Sequence, residues 1–112
     1  MSLAIRLRFE PVRTLAAASV GAAYMGVGTG IDNPARQFFI QNLTDATLMF
    51  SFNGVDDHFP LPANGFFLSD ITSNKNVSQG FYLAEGERLY VKEIGNPTTG
   101  SVYFTVMYGS QD

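Results

Sequence analysis

Cysteine and tryptophan are absent from this chain, histidine occurs once, and charged side chains are scarce. Without cysteine there is no disulfide scaffold and no thiolate metal site, a composition that suits assembly in a reducing cytoplasm. The single histidine, His58, is the one residue through which any general-base or triad chemistry would have to pass, and no G-x-S-x-G elbow accompanies it. Charged residues make up 15% of the 112 positions, where about 25% is usual for a soluble domain. That shortfall implies that part of the surface is covered by a partner. Residues 14–31 carry no charge, but the stretch is too short and too rich in glycine and alanine for a membrane span. A leader peptide is the rival reading of this region. It is opposed by the strand-like alternation of residues 3–9 and by a charged lead that is long for such a peptide.

What is present is a packed core. Apolar residues make up 46% of the chain, with ten Phe and five Tyr among them, enough for one domain spanning residues 1–112. The net charge of −3 is unevenly laid out. Of seven basic and ten acidic groups, Arg6, Arg8, Arg13 and Glu10 fall in the first thirteen residues, which leaves four basic and nine acidic groups for the rest. A mildly basic lead thus precedes an acidic body. Three arginines do not make the basic stripe that nucleic acid needs, and an acidic body repels phosphate.

The dominant periodicity is two, with turn residues at short intervals. Ile5, Leu7 and Phe9 alternate with Arg6 and Arg8 and stop at Pro11, so residues 1–13 read as an extended arm. Val12 to Val27 predicts two further β segments broken near Gly21, with a short helix as the alternative. Phe38 to Leu43 is an apolar run that predicts a strand buried on both faces. Leu48, Phe50 and Phe52 form the next strand, followed by Asn53-Gly54, a two-residue turn signal. A proline-bearing loop, residues 55–65, leads to a strand at Phe66–Ile71. After a polar loop at Ser73–Gln79, Phe81 and Leu83 begin a strand that turns at Glu85-Gly86. Leu89 and Val91 face inward on the following one, and the last runs through Val102, Phe104, Val106 and Tyr108. About eight short strands at this spacing predict an all-β chain: a two-sheet antiparallel sandwich, jelly-roll-like, with the N-terminal arm extended from it.

Motifs that could carry chemistry are weak. Asp56-Asp57-His58 lacks the spacing of a calcium loop, and adjacent strand residues point to opposite faces. Gly26-x-Gly28-x-Gly30 lacks the Lys-Ser/Thr pair of a phosphate loop. Asn42-Leu43-Thr44 and Asn76-Val77-Ser78 match the glycosylation pattern, which is common by chance. No catalytic, cofactor-binding or metal-binding residue is assigned, and no enzyme activity, cofactor or membrane partner is expected.

The segments ARQFFIQNLTDATLMFSFNGVDDHFPLPANGFFLSDITSNK, FYLAEGERLYVKE and NPTTGSVYFTVMYG, between Pro34 and Gly109, resemble small structural proteins of tailed phages. Within that group the chain is most similar to the capsid decoration proteins of podoviruses of the epsilon-fifteen type. The resemblance implies a jelly-roll staple that dimerises on the outside of the virion and binds the major capsid protein. The candidate interface residues are Ile5, Arg6, Leu7, Arg8, Phe9 and Arg13 of the arm, with His58 and Phe59 of the acidic loop. An arm can add a strand to a neighbour's sheet, and its arginines would meet acidic capsid surface. A head–tail connector or tail component is the alternative, and a carbohydrate-binding sandwich is the second alternative.

Overall fold

The computed structural model describes residues 6–70 and 83–110. Among these residues nine strands run in the order β1 (Arg6–Phe9), β2 (Arg13–Ala16), β3 (Met25–Gly26), β4 (Ala35–Asn42), β5 (Leu48–Ser51), β6 (Phe59–Leu61), β7 (Phe66–Asp70), β8 (Tyr90–Glu93) and β9 (Ser101–Ser110). They form a large sheet, ordered β1-β9-β4-β7 with β2 also on β9, and a small sheet ordered β3-β8-β5-β6. Every strand pairing is antiparallel. The chain is therefore the two-sheet sandwich that its period-two pattern predicts.

Strand parity builds the core. Phe38 and Ile40 of β4 and Val102, Phe104 and Val106 of β9 project from the large sheet onto Leu48, Phe50, Leu61 and Val91 of the small one. Phe38 and Phe104 meet edge-on with ring centroids 6.1 Å apart, and Phe50 stacks on Phe59 at 5.5 Å. Burying each such side chain stabilises by roughly 1.5–3 kcal/mol.

Several expectations are corrected. Residues 6–13 are no free arm. Arg6–Phe9 pair with Met107–Ser110, and Arg13–Ala16 pair with Ser101–Phe104, so both short strands share one side of β9. The region from Val12 to Val27 does hold the two expected β segments, β2 and β3, with a 3-10 turn at Ala17–Ser19 between them. β4 is buried on one face only, because Phe39 sits in register with Thr105 and Leu68 on the outside of the sheet. The Asn53-Gly54 pair lies within a longer connection, residues 52–58, since Phe50 already pairs with Phe59. The proline-bearing segment contains β6, which among the described residues pairs with β5 alone. An edge strand tolerates Pro60 because it need not donate on both sides. The expected strand start at Phe81 and the loop at Ser73–Gln79 lie outside the described residues, and Leu83 forms a single bridge to Ala35.

Candidate protein-binding face

The N-terminal strands are fixed by a buried ion pair. The Arg13 guanidinium lies 2.9 Å from Glu10 across the Pro11 corner, with both side chains almost fully buried. Arg13 also donates to the carbonyls of Thr29 and Gly30. Glu10 accepts from the backbone N–H groups of Asp32 and Asn33 and from the Asn33 amide. Burial pushes the Glu10 carboxyl up, but the donors on Asp32, Asn33 and Arg13 together hold it below its ordinary value. This latch explains the glycine-rich strap. Its carbonyls, not its N–H groups, face the arginines, which is the wrong polarity for phosphate. A Cβ on Gly30 would lie 2.6 Å from the Gly86 carbonyl, and Gly28 has φ +69°.

Arg13, expected as a cation meeting a partner, is therefore an internal structural group. The other expected interface residues divide. Ile5 lies outside the described residues. Arg6 is in register with Ser110, and Arg8, which is exposed, is in register with Tyr108. Leu7 and Phe9 stand opposite Gly109 and Met107, on the outer side of the large sheet. His58 is exposed, and its Nδ1 accepts the Phe52 N–H at 3.0 Å. Phe59 is half-buried against Phe50, Phe52 and Phe67, so its ring belongs to the core.

Leu7 and Phe9 are part of a larger surface that the sequence pattern did not single out. On the outer side of the large sheet, register places Gln37, Phe39 and Gln41 of β4 beside Met107, Thr105 and Tyr103 of β9, with Leu68 and Phe66 of β7 beyond them. Leu7, Phe9, Phe66 and Leu68 are 48%, 64%, 63% and 57% exposed. The residues between them are half-buried. Phe39 and Phe66 meet edge-on at 5.5 Å. The paired positions between Phe9 and Phe66 carry no charge, Arg36 is the extra residue of the bulge between Ala35 and Gln37, and Asp70 holds the register position opposite Gln37. The available signal was that both parities of β4, β7 and β9 are nearly free of charge.

The outside of the small sheet is different. Lys92 forms an ion pair with Asp57 at 3.0 Å and lies 4.8 Å from the centroid of the Tyr24 ring. The Tyr24 hydroxyl donates to Asp57 at 2.5 Å. Burial, that bond and the charges of Asp57 and Asp56 push the Tyr24 hydroxyl up to about 12. The Tyr24 and Lys92 bonds hold the Asp57 carboxyl down. Asn53 organises the neighbouring loop by accepting from Val55 and Asp56 N–H groups and donating to the Asp56 carboxylate. Among the described residues, no three histidine, aspartate or glutamate side chains gather as a metal site would require.

Compared with protein-family models, curated proteins and solved structures, the chain shows no significant match to any.

Proposed function

We propose that this chain is a virion protein that binds the outside of a capsid and staples neighbouring copies of the major capsid protein, after assembly in the host cytoplasm. The observation that carries this reading is the largely apolar outer face of the large sheet, opposite a small sheet whose outer side carries Lys92 and, from the neighbouring loops, Asp57 and Arg88. Exposed apolar patches beyond a few hundred Å² mark contact sites with other macromolecules. A rigid sandwich supplies a preorganised surface and loses little entropy on docking. Many copies on a lattice add avidity to a modest single contact. The phage decoration-protein resemblance of residues 34–109 and the low charge of the whole chain point the same way.

The test is co-sedimentation of the purified protein with empty shells assembled from the major capsid protein of the same virus. The expected result is saturable binding at a fixed ratio to the shell subunit. A single ring's worth of copies per particle would favour the connector or tail role instead, and no binding would remove the reading. Deleting residues 2–13 is a poor variant for this purpose. It removes β1 and both partners of the Glu10–Arg13 latch, so the truncated protein is expected to melt at a lower temperature than the full chain.

A further inference from the structure

We infer that Asn64 is a site of spontaneous deamidation in the folded chain, and that Ser51 holds the chemically equivalent Asn53 unreacted. The inference is independent of the shell-binding role. The sequence carries two Asn-Gly pairs, Asn53-Gly54 and Asn64-Gly65. In such a pair the glycine nitrogen gives its proton to hydroxide and bonds to the asparagine Cγ. The Cγ–Nδ2 bond breaks, and Nδ2 takes a proton from water and leaves as ammonia. Water then opens the cyclic imide at one carbonyl or the other, giving aspartate or isoaspartate. Glycine favours the attack because it has no Cβ to crowd the nitrogen.

Exposure does not separate the two sites, since both asparagines are exposed. Hydrogen bonding does. Asn53 Oδ1 accepts from the Ser51 hydroxyl and from the N–H groups of Val55 and Asp56, each at 2.9 Å. Its Nδ2 donates to the Asp56 carboxylate at 2.8 Å. The attacking nitrogen is engaged as well, because the Gly54 N–H donates to Ser51 Oγ at 3.0 Å. Ser51 Oγ also accepts the Asn53 N–H at 3.1 Å. Ser51 is fully buried, so water does not replace it in these bonds. Donors on Oδ1 stabilise the anion that attack creates. Bonding Cγ to the adjacent nitrogen, however, swings Oδ1 away from N–H groups two and three residues on. The bonds that would help the reaction are broken in reaching it.

Asn64 lacks this clamp. Among the described residues no hydrogen bond holds its side chain. Its backbone has φ +64°, a left-handed conformation that asparagine tolerates without preferring. The attacking nitrogen is held by one bond, from the Gly65 N–H to the Pro62 carbonyl at 2.8 Å. Each net hydrogen bond lowers the population of an opened loop by roughly two- to tenfold. Asn64 therefore reaches the reactive geometry far more often than Asn53. Reaction adds a charge to the turn before β7 and, as isoaspartate, an extra backbone atom.

The experiment ages the full chain in mildly alkaline buffer and follows isoaspartate at both positions by peptide mass spectrometry. The same chain unfolded in urea is the reference, and dividing each unfolded rate by the folded one gives the protection at each site. Protection at Asn53 is expected to exceed that at Asn64 by about tenfold or more. Ser51→Ala is expected to raise the rate at Asn53 by about tenfold and to leave Asn64 unchanged. A melt checks that this variant is folded at the ageing temperature. Asp56→Ala, at an exposed position, keeps the fold and frees Nδ2, so it should raise the rate at Asn53 by a smaller factor. Equal protection at the two sites, or faster reaction at Asn53 in the folded chain, would overturn the inference. So would unchanged rates at Asn53 in both variants.

Discussion

Arg13→Ala is expected to destabilise the chain by about 3 kcal/mol and to lower the melting temperature by roughly 12–15 °C. The substitution leaves the Glu10 carboxylate buried with its counter-ion gone, and breaking a buried pair from one side costs more than the pair itself contributes. The lower end of the usual range applies because Arg13 lines an open groove with Thr14, Thr29 and Asp32. Removing both partners in Arg13→Ala/Glu10→Ala is expected to cost less than the two single changes added together, the signature of direct coupling. Thermal melts followed by circular dichroism at neutral pH measure all three.

The same latch gives a pH dependence. Glu10 is held below its ordinary value of 4.5 in the folded chain, so the unfolded chain binds the proton more readily. The stabilisation is complete above that ordinary value and is lost as pH falls through the lower folded one. Melting temperature should therefore decline on acidification below about 4.5, in the range where glutamates titrate. Glu10→Gln, which retains a hydrogen-bond acceptor but cannot titrate, should flatten that part of the profile. A profile as steep as wild type in Glu10→Gln would show that other carboxylates set the acid limit.

Asn42→Asp is expected to be the more damaging change, at about 3–5 kcal/mol near neutral pH, from the loss of buried hydrogen bonds and the burial of an unpaired charge. Asn42 is fully buried. Its amide nitrogen donates towards the carbonyls of Ala46, Leu61 and Pro62, and its oxygen accepts from the Thr44 N–H and hydroxyl. One side chain thus ties the β4–β5 turn to the end of β6. A carboxylate would set a negative oxygen against three carbonyl oxygens with no hydrogen to offer. Protonation relieves that clash, so the new carboxyl would titrate above the ordinary aspartate range in the folded chain. The variant should sit closest to wild type at pH 4 or below, near and under the ordinary aspartate value of about 3.9, and fall further behind as pH rises. A neutral-pH melting temperature within a few degrees of wild type would show that the turn rearranges without this amide.

Asn42 also shows where sequence reasoning stops. Its Asn-Leu-Thr context reads as a glycosylation acceptor, yet the folded chain leaves that amide no access to solvent. The partners that decide this, Leu61 and Pro62, lie about twenty positions away, and no local pattern points to them. Arg13 is a similar case. A cation in a basic lead reads as solvent-facing, but its Thr29 and Gly30 acceptors come from a strap brought close only by the fold. The β-sandwich was legible because β8 and β9 alternate cleanly. Leu89, Val91, Val102, Phe104 and Val106 are all buried as their parity predicts. β4 misled for the opposite reason. Phe39 is apolar and faces outward, so an open face looked like a second core face. Strand parity separates two sets of side chains, and an apolar set on the outer side gives no sign of whether the chain itself or another molecule covers it.

The prolines of β6 bear on how the protein avoids uncontrolled growth. Pro60 lies within this edge strand and Pro62 just past it. Each replaces a backbone donor that a passing chain could have used as a template. Cross-strand recruitment along this border is thereby discouraged in a molecule that also exposes an apolar face. Wherever many copies of such a chain meet, that bias favours discrete molecules over fibrous by-products.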